Sequence, residues 1–313
     1  MLLTSTDTQA IRRQVLLGLA RARTPGYHFP GHFLAAEWTR LAEDDVEQTL
    51  PDGPHCRNTD GSLNLLAMAV LLDSALATTP RLVPGIEVGA RQATIHLHLQ
   101  FTGAALRGEY KARARLDGFT VGAQARQSLT SGTVYADGQP VCRASGSFMH
   151  LPPPPGVALA PLPWQREPGA APAALRPKDL DERERATLKA CNAALRRADD
   201  RHAFIEHFWG ALPVAADDGA RCRVRLGPQH GNRVGHVQGG VQLGLAAVTA
   251  CAAAPNHPQL CAIAAWYISP GQGRAMKIRS VRFHEGRSFA AVRTEIRNAD
   301  GSLVLEAVSH HAA

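Results

Sequence analysis

Asn232-Arg233-Val234-Gly235-His236-Val237-Gln238-Gly239-Gly240 runs straight into the apolar stretch Val241 to Ala254, and the same arrangement occurs once before. Upstream, Asn58-Thr59-Asp60-Gly61-Ser62-Leu63-Asn64 leads into the apolar run Leu65 to Leu72. Asn58 to Asn232, Gly61 to Gly235 and Asn64 to Gln238 share one offset of 174 residues. Gly53-Pro54 and Gly227-Pro228 precede the two loops at the same offset. A repeat of this length changes how every other motif is read. Later pairs continue it with shrinking offsets: Asp117-Gly118 with Glu285-Gly286, and Ala136-Asp137-Gly138 with Ala299-Asp300-Gly301. The chain is thus expected to hold two diverged copies of one domain.

The elements follow one order in both copies. An opening helix is predicted over Asp7–Arg23, ended by Thr24-Pro25-Gly26, and its counterpart over Leu180–Arg197. Strand-like segments follow at Asp45–Leu50 and Arg221–Leu226, then the Asn-x-x-Gly loop, then helices over Leu63–Thr78 and Val237–Ala253. After each helix the period becomes two: Ile95, Leu97, Leu99 and Phe101 alternate with His96, His98 and Gln100, as a sheet with one packed face requires. Asp137-Gly138 and Asp300-Gly301 are hairpin turns, where Gly takes a positive φ at no steric cost. Between the copies, the proline run Pro152–Pro155 and the Pro/Ala-rich stretch after it cannot supply sheet hydrogen bonds. The expected division is residues 1–150, a linker over 151–178, and 179–313.

With 313 residues, 45% hydrophobic and 19% charged, the chain can form two cores and is too apolar to be disordered. The formal charge of +7 is spread along the chain, which argues against nucleic acid and suits an anionic small substrate or simple solubility. Six cysteines with no C-x-x-C pair suggest neither a zinc site nor disulfides, and so a reducing compartment. No signal peptide is evident, and Asp73, Gln242 and Thr249 interrupt the most apolar runs below the ~18 residues needed to span a bilayer. The expectation is a cytoplasmic protein without membrane or nucleic-acid partners.

An apolar helix wrapped by one antiparallel sheet, repeated, is the hotdog architecture in double form, an α+β fold. The loop 232–240 resembles the Asn-x-x-Gly-x-x-His-Gly-Gly motif of PaaI-like acyl-CoA thioesterases. In that family a catalytic Asp follows the motif His by nine positions. Here Gln238 stands for the His, and nine positions on is Ala247; in the first copy Asn64 stands for the His and nine positions on is Asp73. The first copy keeps the acid but has Leu65-Leu66 where the family has Gly-Gly; the second keeps Gly239-Gly240. The losses are complementary. Since hotdog sites are shared between two domains, the resemblance implies one complete site, with Asp73 as base or nucleophile toward a thioester, Gly239 and Gly240 as oxyanion donors, and Asn232 and Gln238 orienting carbonyl or water. It implies no cofactor, CoA entering as part of the substrate, and leaves a homodimer of such chains open.

Elementary chemistry points the same way. Unpaired N–H groups at a helix start attract developing negative charge, and removing one such donor typically costs roughly 10²–10³ in rate. A desolvated carboxylate is a better base once ionised. His236, Asn58, Asn64 and Thr78 are candidate substrate contacts, although Asn is equally at home in turns and caps. His96 and His98 lack the acidic or thiol partners of a metal site. Gly271-Gln272-Gly273 lacks the context of a phosphate loop, while Arg107, Lys111, Arg274, Lys277 and Arg279 are candidates for cofactor phosphates. Two alternatives stay open: an acyl-binding protein without turnover, and a hotdog dehydratase or hydratase, whose Gly-Asp-x-Asn-Pro segment is absent.

Overall fold

The computed structural model describes all residues except 1–2, 25–27, 43, 84–90, 121–126, 152–160, 163, 165–169 and 171. Two helices form its centre, α3 (Leu65–Thr78) and α6 (Gly239–Ala253), capped by the side chains of Asn64 and Gln238, which accept from the N–H of Leu66 and Val241. Both are apolar all round and buried, as a helix enclosed on every side must be. Leu65–Leu82 has the length and mean hydropathy (1.4) of a membrane-crossing segment, longer than the sequence suggested, yet 78% of it is buried within the protein. A protein core puts such a run to that use.

The helices cross closely because α6 carries Gly240 and Gly244 one turn apart on one face. A Cβ on Gly244 would lie 2.7 Å from the Cα of Leu66, and one on Gly240 would lie 2.5 Å from the Cα of Val70 and against the carbonyl of Ala69. These contacts set the two helices antiparallel, the start of α6 beside the later part of α3. The loops before them fold alike: Asn58 N–H bonds Ser62 O and Gly61 N–H bonds Asn58 O, as Asn232 N–H bonds His236 O and Gly235 N–H bonds Asn232 O. Gly61 and Gly235 sit at φ of +85° and +86°, a conformation that explains why both copies keep glycine there.

Among the described residues, twelve antiparallel strands wrap this pair in one continuous sheet. The first half supplies β1 (Glu37–Ala42), β2 (Asp45–Leu50), β3 (Arg91–Phe101), β4 (Tyr110–Thr120), β5 (Gln127–Ala136) and β6 (Gln139–Leu151). The second supplies β7 (Val214–Ala216), β8 (Gly219–Arg225), β9 (Gln259–Tyr267), β10 (Ala275–Glu285), β11 (Phe289–Asn298) and β12 (Leu303–Ala312). Their order, β1-β2-β4-β5-β6-β3-β9-β12-β11-β10-β8-β7, is the same in each half read outward from the β3–β9 seam. Leu97 and Leu99 of β3 are buried as the alternation requires, and His96 lies outside, its ring 5.2 Å from that of Trp266.

Asp137 and Gly138 both take positive φ in a two-residue hairpin, and Gly301 does so in its counterpart. The pairing of Asp117-Gly118 with Glu285-Gly286 fails: Asp117 and Gly118 lie inside β4 at a bulge, whereas Glu285 ends β10. Dipeptide similarity misled there, because a bulge and a turn both favour glycine.

The opening helices appear as α1 (Ser5–Ala22) and α4 (Glu182–Arg197), each with a reciprocal cap, Thr4 with Asp7 and Asp181 with Glu184. Arg23 clamps Glu184 with two bonds of 2.6 Å and so ties the halves. Two short helices were not foreseen, α2 (Phe29–Phe33) and α5 (Phe204–Trp209), too short for a periodicity to show. Their aromatic rings pack together, Phe33 lying 5.0 Å from Phe208 and 5.7 Å from Trp209. Pro152–Pro155, the core of the expected linker, lies outside the described residues.

Candidate active site

Asp73 is the junction of the two copies. It lies late on α3, 5% exposed, and accepts from Gln238 Nε2 at 2.6 Å and from the Gly240 N–H at 3.1 Å, both at Oδ2, while Thr94 Oγ1 donates to Oδ1 at 3.1 Å. Two of these three donors belong to the other copy. Burial pushes the Asp73 carboxyl up to about 6, against the lowering effect of the Thr94 and Gly240 donors and of the nearby Arg81 charge. It is therefore a carboxylate at neutral pH that still holds a proton readily.

The two glycines have different reasons to be glycine. Gly240 spends its N–H on Asp73 and its missing Cβ on the crossing with α3. At Gly239 a Cβ would crowd the Asp73 oxygens at 3.0 and 3.1 Å and Thr94 Oγ1 at 2.9 Å. The Gly239 N–H meets no hydrogen-bond acceptor among the described residues, and its carbonyl accepts from the Tyr267 hydroxyl at 2.8 Å. A free helix-start donor thus sits beside the carboxylate, the geometry that accommodates an oxyanion.

These groups open on a cavity of about 410 Å³. Asn232 lines it while its Oδ1 accepts from the N–H groups of Val234 and His236 at 3.0 Å each, so it also braces the loop. His236 lines it too, half-buried and held below the usual imidazole pKa by burial. Thr78 lines it, accepting from Trp38 Nε1 at 3.3 Å and donating to Ser74 O at 2.8 Å, so that it positions the indole.

Asn58 and Asn64 do not join this cavity. They bond each other at 2.6 Å, and Asn64 accepts from the Leu66 N–H at the start of α3, so the structure places them in the capping loop rather than in the cavity lining. The cations expected for phosphates also lie elsewhere. Lys111 pairs with Glu47, Arg279 with Asp218 and Arg107 with Asp60, and neither Arg274 nor Lys277 lines the cavity.

Arg81, Arg91 and Arg233 line it instead, together with Trp38 and Trp164, two of the four tryptophans in the chain. Trp38 and Trp164 meet edge to face at 5.2 Å, so part of the segment read as a linker forms a wall of the site. The only hint in the sequence was Trp164 itself, a large apolar residue amid prolines.

Comparison with known proteins gives first the class. The structure is similar to a protein from Lactobacillus plantarum assigned as an oleoyl thioesterase (13% identity, 86% of this chain and 96% of that one, TM-score 0.53). It is also similar to a protein from Novosphingobium aromaticivorans assigned as a thioesterase (14%, 88% and 97%, TM-score 0.52). A hot dog fold protein of unknown function from Alicyclobacillus acidocaldarius matches likewise (10%, 92% and 98%, TM-score 0.52). The fold is a double hotdog. More particularly, residues 228–311 match the family model described as the acyl-CoA thioesterase N-terminal domain. That stretch spans α6 and β9 to β12, and the thioester-hydrolase class expected from the sequence agrees with it. No curated protein matches the sequence.

Proposed function

We propose that this protein hydrolyses acyl-CoA thioesters at one composite site between two hotdog domains, residues 1–150 and 179–313. The observation that supports this most is the hydrogen bonding of Asp73 from one copy to Gln238 and Gly240 of the other, beside the Gly239 N–H, which meets no acceptor among the described residues. Asp73 acts as the base: it takes a proton from water as the water oxygen attacks the thioester carbonyl carbon. The carbonyl oxygen, becoming anionic, accepts from the Gly239 N–H. The C–S bond then breaks, and the proton held by Asp73 passes to the departing thiolate. Gln238 fixes the carboxylate rather than carrying protons, since an amide does not titrate.

The loop sequence supports a PaaI-like subtype, and the cysteine pattern supports a cytoplasmic location. No cofactor enters this reaction, and two such chains are free to pair into a homodimer through sheet edges or helices.

The test is release of free thiol from short, medium, long and aromatic acyl-CoAs, with Asp73→Asn alongside. Release that disappears in the variant supports the assignment; equal release sinks it. Binding without release from the wild type would instead favour an acyl-binding protein. Single turnover in H₂¹⁸O followed by mass analysis of the protein detects a nucleophilic route, because a mixed anhydride opened by water at the Asp73 carbonyl leaves label in the protein, whereas direct attack of water on the thioester puts it only in the product.

A further inference from the structure

The cavity holds more hydrogen-bond donors than this hydrolysis uses. Arg81, in the 3₁₀ turn Thr79–Leu82 after α3, donates from Nε to Gln92 Oε1 at 2.6 Å and forms no ion pair among the described residues. Gln92 Nε2 and Arg91 Nε, from β3, and Trp164 Nε1 are buried and have no acceptor among the described residues. All four residues line the cavity, whose single carboxylate among the described residues is Asp73. Buried donors in native proteins are almost always paired, so several converging unpaired on one cavity point to an acceptor that arrives with the ligand. An alkyl chain offers none. A carboxylate offers two oxygens, accepts only, and matches the planar fork of a guanidinium. The apolar part of the lining, with Trp38 and Phe148, suits the methylenes between two polar ends.

We propose that the preferred acyl group carries a second carboxylate, making the substrate the monothioester of a dicarboxylic acid, with its free carboxylate held by Arg81 and the Gln92 amide. This rests on the thioesterase reading above and names its substrate class. The same cations are also suited to the phosphates of CoA, which the experiment separates.

The experiment compares adipyl- with hexanoyl-CoA and suberyl- with octanoyl-CoA, and repeats each pair as N-acetylcysteamine thioesters, which carry no phosphate. The expected kcat/KM ratio favours the carboxylated partner by about 10²-fold in both series, the size expected of one hydrogen bond to a charged group. In Arg81→Met that ratio collapses or inverts, while Arg81→Lys, which keeps the charge, restores part of it. Thermal denaturation checks that both variants fold, and the ratio within one variant is insensitive to the amount of active protein.

A wild type that prefers the neutral partner overturns the proposal and leaves the hydrolase reading intact. An Arg81→Met loss equal for both partners, and absent with the N-acetylcysteamine series, assigns Arg81 to phosphate and also overturns it. Calorimetric binding of adipyl- and hexanoyl-CoA to Asp73→Asn reads the preference without turnover. Preference there with no hydrolysis by the wild type would sink the hydrolase reading and leave the carboxylate site standing.

Discussion

The two central helices are copies that have come to do opposite things. At the end built from Asp73 and the start of α6, a carboxylate meets a glycine helix start; at the positions related by the repeat stand Ala247 and Leu66, both buried and apolar. The loss of glycine from α3 is a packing exchange, because the side chain of Leu66 lies where a Cβ on Gly244 would be, 2.9 Å from Leu66 Cδ2. One helix supplies volume and the acid, the other close approach and the donors. A pair of identical domains would need every residue to serve both roles; fusion removes that constraint.

The largest expected effect is at the acid. Asp73→Asn should lower kcat by about 10²–10⁴-fold, the range of a general base, in a protein that still melts cooperatively. Gly239→Ala comes next: its methyl would displace the Asp73 carboxylate, and turnover should fall by about ten- to a hundredfold with Tm nearly kept. Gly240→Ala should do the reverse. Its methyl meets the backbone of α3, so stability should fall by about 1–3 kcal/mol, read by denaturant unfolding. Equal effects of the two substitutions would break the division of labour between the glycines.

Acidity gives a subtler comparison. A base must be ionised, so kcat/KM should rise with pH and level off above a midpoint near 6, where the Asp73 carboxyl titrates facing Arg81 and Tyr267. Thr94→Val removes a donor that lowers this pKa, so the midpoint should move upward. The smallest effect on activity belongs to the vacant end. Ala247→Asp should add no turnover, since Leu65-Leu66 offers no glycine helix start, and should destabilise by burying a carboxylate without partners. A gain in activity from it would mean that the asymmetry is only skin deep.

Much of this was legible in the chain. The Asn-x-x-Gly loops close by hydrogen bonds within five residues, and the helices by bonds four apart, so local sequence was sufficient to place them. The resemblance to the PaaI-like motif, carried into the first copy by the register of the repeat, then singled out Asp73 and the Gly239-Gly240 pair without any contact being known. Asn58 and Asn64 fall in the capping loop outside the cavity lining, a difference hidden in the chain because a capping asparagine and a substrate-binding one look alike in a sequence. The cations were misread because strand position says nothing about which arginine already has a carboxylate.

By itself, then, the sequence determined two copies, their order of elements and the complementary losses between them, all features carried by short-range periodicity and hydrogen bonding. Tertiary structure alone decided which N–H stays free, which glycine serves packing, and that Arg81, Gln92, Trp38 and Trp164 share a cavity with Asp73. The physical reason is separation: the bond from Gln238 to Asp73 spans 165 residues, and no local pattern records which side chains meet across such a distance.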